Sequence, residues 1–443
     1  MCSCAAHVLL AHLLGLALGV MVIADLLRRR PSSHLFWIAV GAASLAMAAF
    51  TFHVSEPLLR FDDFTTAYWV AGKAALQGRE AIVALYGDGV TGFVNLPILA
   101  YLFIPFAVLP TFPGALLFTA IGIVAVFAAW ALLARAAILD NGAKALLLFL
   151  FASFGPLIYS IREANTSHMV LVLCVWALLL LRERKDLIAG AALGVAALIK
   201  PPLLLFGIYF TLRGRWSAML GGAAVVGGVS LLSVAVFGWD AHLRWYDTSI
   251  APFARDPMPA LNVQSIAGAI ARFEIGPGSA RDWTPHQLTP VSQAIVRGST
   301  VLIILLALGA ALAPRPKTAH VVSRDTTYEG EYLIVLMLAC VISTLSWTHY
   351  YAWMLMPIAF FIGRTPHFSS SLPVRALGWG AIVLAAAPSV TLEFQGALLH
   401  ELNARLGYSR LLAGGLCMLG LLIWSRWQMM SHAQDGVAEA RAP

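Results

Sequence analysis

A few side chains in this chain have the type and setting to do chemistry. Asp62 and Asp63 are adjacent, follow Arg60 and precede a short apolar segment. Two neighbouring acids beside apolar sequence are costly unless they are solvated or used. Asp63 reads either as the cap of a helix starting near Phe64 or as a general base within hydrogen-bond reach of an acceptor hydroxyl. Lys200 separates two apolar runs and precedes Pro201 and Pro202, which prevent a continuous helix. A lysine there reads as a snorkelling cation or as a partner for an anionic ligand. His349, in the stretch Ser346 to Tyr351, reads as an interfacial hydrogen-bonding residue or as a group that binds or protonates a phosphate. Asn262, Gln264 and Ser265 could hydrogen-bond a sugar or cap the helix that follows them. Arg162 to Asn165 form either an ordinary surface ion pair, with Glu163, or part of a site. No phosphate-cradling glycine loop, zinc spacing or nucleophile elbow is present in the sequence.

The elements that must position these residues follow from composition. Of 443 residues, 60% are hydrophobic and 12% charged, against about 25% charged in a soluble domain. Mean hydropathy is +0.81. Half the charge that a water-facing surface requires is missing, which excludes a soluble globular chain and points to lipid as the solvent. The net charge of +7 comes from lysines and arginines scattered in short clusters. That pattern reads as topology signals and not as a nucleic-acid surface. The five cysteines offer neither a disulfide framework nor metal spacing, and no metal or cofactor is expected.

A bilayer core needs about 20 apolar residues as helix. Apolar runs near 8–27, 35–54, 114–134, 145–160, 168–181, 186–199, 202–213, 217–237, 294–313, 330–346, 350–363, 375–390 and 410–426 give about thirteen transmembrane helices, several of them short. The first run lacks a preceding basic residue and is followed by Arg28 to Arg30, which reads as an anchor rather than a cleaved signal. Placing every basic cluster in the cytoplasm requires that the apolar segment at 96–111 does not cross. It then belongs to a long outer loop over 55–113, with an interfacial helix from Ala67 to Gly78 anchored by Tyr68 and Trp69. A second outer loop spans 238–293, and 428–443 is a cytoplasmic tail. The whole chain, 1–443, reads as one all-α polytopic membrane domain.

Taken in order, several short motifs resemble glycosyltransferase family 87, which includes polyprenol-phosphate-mannose-dependent α-1,2-mannosyltransferases. They are Asp63-Phe64 with Tyr68-Trp69, Ala71-Gly72, Leu76 and Gly78; Pro105 to Pro110; Gly190 to Lys200-Pro201 with Arg215-Trp216; Phe237 to Asp240; Asn262 to Ser265; and Ser346 to His349. The similarity spans about 60–365. It departs from the family at Asn95-Leu96-Pro97, where Tyr-Pro-Pro is common, and at Arg162 to Asn165, where Gly-Gln-x-Asn is common. The interval from Asp63 to the aromatic pair is one residue longer than the family's, which leaves both Asp62 and Asp63 open as the base.

The resemblance implies a C-type glycosyltransferase architecture with membrane-lying helices in the first outer loop. It implies transfer of a hexose, mannose by analogy, from a polyprenyl-phosphate donor to a glycolipid or glycan acceptor, with inversion, at the extracytoplasmic face of the plasma (inner) membrane. Asp63 or Asp62 would be the base, and Lys200 and His349 would offset charge on the leaving phosphate. Glu163, Asn165, Asn262, Gln264 and Ser265 would contact substrate, and Trp347 or Tyr350 would stack on a pyranose. No metal is demanded, because cationic side chains can accommodate a phosphate monoester leaving group. The competing class is a transporter or flippase for a lipid-linked or anionic substrate, with the same charges lining its path. A scaffold within an envelope-assembly complex is a third.

Overall fold

The computed structural model describes residues 9–21, 34–54, 60–87, 92–313, 324–363, 365, 368, 371–388, 390 and 397–439. Among these residues the fold is helical throughout, with a single isolated bridge between Val263 and Trp347. Among the described residues each of the thirteen apolar runs overlaps helix, but the runs near 145–160, 202–213 and 350–363 are each divided between two helical elements. Five of those helices are long and apolar enough to cross a membrane, and the count is six if the bent pair Asn141–Ser153 and Gly155–Arg162 is one span. The others, such as Ser167–Arg182, Asp186–Ile199 and Leu372–Ala386, are shorter than a full crossing. A thirteen-span arrangement would require these to cross as well. Several long helices turn large apolar side chains outward, among them Leu116, Val124 and Phe127, Leu231 and Leu232, and Val301, Leu302 and Leu305. In water such belts would be unfavourable, whereas in hydrocarbon they are solvated.

The 52° bend between Ser153 and Gly155 has a local cause. Pro156 falls in the first turn of the second helix, where its missing N–H cannot continue the preceding ladder. Gly155 lies so close to the backbone at Ala387 that a Cβ would sit 2.4 Å from its carbonyl oxygen.

The segment at 96–111 folds as a tight turn of helix, Pro97–Phe103, followed by the one-turn helix Ile104–Ala107. Eleven residues in these conformations are about 20 Å long, short of a bilayer core of about 30 Å. The segment packs against Trp69–Gln77, where Gly72 permits the approach: a Cβ there would meet the Phe103 carbonyl oxygen at 2.6 Å. Tyr68, expected to anchor at an interface, is instead buried and stacks on Phe103 at 4.6 Å between ring centroids. Stacking against an aromatic ring inside the protein removes it from any interface. The expected loop 238–293 is largely helical, with Trp239–Ser249, Ala251–Arg255 and Ile266–Ile275. The expected tail from 428 continues the helix Arg410–Glu439.

Three successive helices sort the charges. Ser167–Arg182 runs from Ser167 to Arg182, Asp186–Ile199 returns to Lys200, and Leu205–Leu212 runs on to Arg213. At one end Arg213 pairs with Glu331, joined by Arg426 at 3.6 Å, and Arg215 pairs with Asp186 at 2.7 Å. Arg182 pairs with Glu329 there, and Arg135 with Glu183 at 3.8 Å. These are basic residues that the sequence assigns to one face. At the opposite ends of the same helices, about 20–24 Å away by helix rise, lie Asn165 and Lys200. The clusters Arg28 to Arg30, Arg315 with Lys317, and Arg364 lie outside the described residues.

Candidate active site

The site forms where two strained turns are tied together. Phe61 and Ala164 both adopt left-handed backbone, with φ of 62° and 50°, a conformation that costs energy in residues bearing a Cβ. The Phe61 amide donates to the Arg162 carbonyl at 2.8 Å, and the Phe64 amide donates to that of Glu163 at 3.3 Å. The turn carrying Asp62 and Asp63 is thereby fixed to the turn carrying Glu163 and Asn165. Downstream, Phe64–Tyr68 is a wide π-helical turn that passes into Trp69–Gln77. Such turns recur at functional sites.

Asp63 precedes this helix but its side chain makes no capping hydrogen bond. Its Oδ2 instead accepts from Nδ2 of Asn165 at 2.6 Å. The Asn165 amide is oriented from its other side, because its Oδ1 accepts from both the amide and the hydroxyl of Ser167 at 2.9 Å. The Tyr68 hydroxyl lies 3.4 Å from the same Nδ2 and 3.3 Å from the Thr166 hydroxyl. Asp62 takes part only through its carbonyl, which accepts from the hydroxyls of Thr65 and Thr66. Of the two acids, Asp63 is the one held by a side-chain network. Burial pushes its carboxyl above the ordinary range, while the Asn165 amide and the Lys200 ammonium pull it back. A carboxylate so raised is a stronger base than a solvated one.

Lys200 occupies the break between Asp186–Ile199 and Pro201–Leu204 in extended conformation, as the residue before a proline favours. Its side chain is buried and its ammonium lies 5.0 Å over the Tyr350 ring. Burial lowers it to about 8, against the attraction of Asp63. Asn95 braces this break by donating to the Ile199 carbonyl at 3.2 Å.

His349 sits at the start of the tight helical turn Thr348–Met354. Its ring lies nearly parallel to those of Tyr159 and Trp347, at 6.4 and 6.3 Å, and is tilted against Tyr350 at 5.2 Å. It is buried, and neither ring nitrogen has a hydrogen-bond partner. Two unpaired nitrogens in one buried ring are unusual, and both remain available to hydrogen-bond a further group. Burial, with Lys200 and His168 nearby, holds its proton affinity well below the ordinary imidazole range. It is therefore suited to donating a neutral N–H bond, and Lys200 carries the positive charge.

Arg162 and Glu163 are both buried, so the surface ion pair considered from the sequence does not describe them. Arg162 donates to the Phe52 carbonyl and stacks over the Phe52 ring. Burial, reinforced by Asp63 and Asp62, pushes Glu163 up to about 9, which makes it a neutral acid at pH 7. Its Oε1 lacks a partner.

The segment at 262–265 is bound mainly to protein. Ser265 caps Ile266–Ile275 by accepting from the Gly268 amide at 2.9 Å. The Gln264 side chain donates to the carbonyls of Leu261 and Tyr408, at 2.6 and 2.7 Å, and accepts from the Leu412 amide at 3.2 Å. With both ends of its amide engaged, Gln264 is a cross-link between this segment and the C-terminal helix. Asn262 stays nearer the site, with Nδ2 3.3 Å from the Tyr159 hydroxyl. Its carbonyl accepts from the Thr348 amide at 2.7 Å, which ties this segment to the turn bearing His349.

Residues not singled out from the sequence complete the arrangement. Tyr159 lies one helical turn before Glu163, a spacing that places both on one face. Ser167 orients Asn165, and His168 is buried with Nδ1 2.9 Å from the Ser160 hydroxyl. The signal available for them was the polar cluster from Asn165 to His168 at the head of an otherwise apolar helix.

The model of glycosyltransferase family 87 matches residues 93–344, more than half of the chain. The matched region contains Glu163, Asn165, Lys200 and Asn262 and lies between Asp63 and His349. A polyprenol-phosphate-mannose-dependent alpha-(1-2)-phosphatidylinositol pentamannoside mannosyltransferase of Mycolicibacterium smegmatis is 29% identical over 219 residues, covering 49% of this chain and 47% of that protein. A polyprenol-phosphate-mannose-dependent alpha-(1-2)-phosphatidylinositol mannoside mannosyltransferase of the same organism is 29% identical over 170 residues, covering 38% of this chain and 35% of that protein. The chain thus matches about half the length of the first relative and about a third of the second. No solved structure matches it. With its family model aligned across most of the helices that build the site, the chain belongs to glycosyltransferase family 87.

Proposed function

We propose that the protein transfers a hexose, mannose by analogy with its relatives, from a polyprenyl-phosphate donor to a glycolipid or glycan acceptor, inverting the anomeric centre. The reading is carried by one observation: Asp63, fixed by Asn165, shares one end of the helix bundle with Lys200 and with the unpartnered ring of His349. In this reaction Asp63 accepts the proton of the acceptor hydroxyl. The acceptor oxygen attacks the anomeric carbon from the side opposite the phosphate. The bond from that carbon to the phosphate oxygen breaks, and its electron pair leaves with polyprenyl phosphate. Lys200 offsets the charge that develops on the phosphate, and His349 donates a hydrogen bond to it. A prenyl tail that stays in lipid suits a site at the end of short helices in an apolar bundle. The reading takes the reaction to occur at the extracytoplasmic side of the plasma membrane, and the positive-inside tendency, applied to the arginine pairs at the opposite end of the bundle, supports that orientation. Membership of a glycosyltransferase family favours this reading over a transporter or flippase.

The test is reconstitution of the full chain in liposomes with radiolabelled polyprenyl-phosphate mannose and a membrane lipid extract. Label should appear in a glycolipid or glycan. Asp63→Asn should reduce transfer by at least about 100-fold, and His349→Phe, which keeps an aromatic ring, should also impair it. Transfer by Asp63→Asn at the wild-type rate would remove the base assignment. No transfer from any polyprenyl-phosphate hexose would remove the function.

A further inference from the structure

Trp283 is a large aromatic side chain with 41% of its surface exposed, and neither the motifs above nor the proposed mechanism uses it. Exposed tryptophans elsewhere, such as Trp176 and Trp424, lie within apolar helices and face the surroundings of the bundle. Trp283 instead lies in the polar run Arg281 to His286, whose exposed or half-exposed residues would be poorly solvated in hydrocarbon. The run is ordered by its own bonds. Oδ1 of Asp282 accepts from the Thr284 amide at 2.9 Å and the Thr284 hydroxyl at 2.5 Å, and the His286 amide donates to the Pro257 carbonyl at 2.9 Å.

The indole is also fixed to the site wall. Its Nε1 donates to Oδ1 of Asn262 at 3.0 Å, and Nδ2 of that same amide lies 3.3 Å from the Tyr159 hydroxyl. The Tyr159 ring in turn lies parallel to His349. An indole that is 41% exposed, flanked in sequence by Asp282 and Thr284 and one amide and one aromatic ring away from the reacting groups, suits a ligand with an apolar C–H face and a rim of hydroxyls. A pyranose has that chemistry. We propose that Trp283, held by Asn262, is the stacking platform of an acceptor-sugar subsite at the mouth of the active site. This rests on the reading of the protein as a glycosyltransferase with a carbohydrate-bearing acceptor.

Saturation-transfer NMR with methyl α-mannopyranoside, on the full chain in detergent, tests the subsite without turnover. Wild type and Trp283→Phe should both transfer saturation to the sugar C–H protons. Trp283→Leu keeps a bulky apolar side chain but offers no ring face, and it should bind about ten-fold more weakly. The aromatic variant guards against mistaking misfolding for loss of a contact. A Trp283→Leu protein that binds the sugar as wild type does, or a wild type that shows no saturation transfer, overturns the proposal. So does a Trp283→Leu protein whose only defect is weaker partitioning into liposomes, which would make Trp283 a bilayer anchor. The proposed function fails separately, if sugar binding depends on Trp283 but no polyprenyl-phosphate sugar supports transfer.

Discussion

Nδ2 of Asn165 lies 2.6 Å from Oδ2 of Asp63, joining residues 102 positions apart in the chain. The Ser167 amide and hydroxyl hold the opposite end of the Asn165 side chain, so this bond is oriented before any substrate arrives. A preorganised donor on a carboxylate sets both where the carboxylate points and how readily it takes a proton.

The Asn165 contact favours the charged form of Asp63, so its removal should raise the Asp63 pKa further. Asn165→Ala is expected to lower kcat about ten-fold, the equivalent of losing one charge-assisted hydrogen bond. It should also shift the acidic limb of the pH–rate profile to higher pH. The limb position is the informative measurement, since a sugar-binding Asn165 would raise KM and leave the limb in place.

Lys200 is expected to set the alkaline limit of transfer. Its pKa of about 8 means that its charge, and with it the stabilisation of the leaving phosphate, fades as pH rises through that value. Transfer should therefore decline above about pH 8. Lys200→Arg keeps the charge to higher pH, and its residual activity should persist further into the alkaline range. Lys200→Ala should lose activity at every pH. Rates measured across pH at saturating donor decide this, and an unchanged alkaline limb in Lys200→Arg would assign that limb to another group.

Glu163 links the site to stability. Its pKa in the folded chain, about 9, is above the value of 4.5 that it has when unfolded. Between those values the folded state holds a proton that the unfolded state has released. Stability from this group is complete below pH 4.5 and is lost as pH rises toward 9. Glu163→Gln mimics the protonated form, so thermal unfolding in detergent should depend less on pH in the variant over that window. A variant with the wild-type pH dependence would show that Glu163 ionises normally.

Gln264 should behave as structure, not as a substrate ligand. Gln264→Ala leaves two carbonyls and the Leu412 amide without their partner, and it should destabilise the protein by about 2 kcal/mol. Donor and acceptor KM should change little in the fraction that remains folded. A large rise in KM with unchanged thermal stability would return Gln264 to the binding site.

Much of this molecule was legible in one dimension. Sixty per cent apolar residues in long runs require helices in lipid, and the scarcity of charge made Asp63, Lys200 and His349 conspicuous. Prolines at 201 and 202 marked the break that carries Lys200, because proline's effect on the backbone is local. Which face of each residue mattered was not legible. Asp63 as cap or base, Ser265 as cap or ligand, and Tyr68 as anchor or core were open choices. The first and the last turned on contacts with residues distant in sequence, Asn165 and Phe103, whereas Ser265 was settled as a cap by the nearby Gly268 amide. Composition and local stereochemistry decided the solvent and the breaks. Only the packing of helices decided which polar atoms have partners and which, like the two nitrogens of His349, are left unpaired.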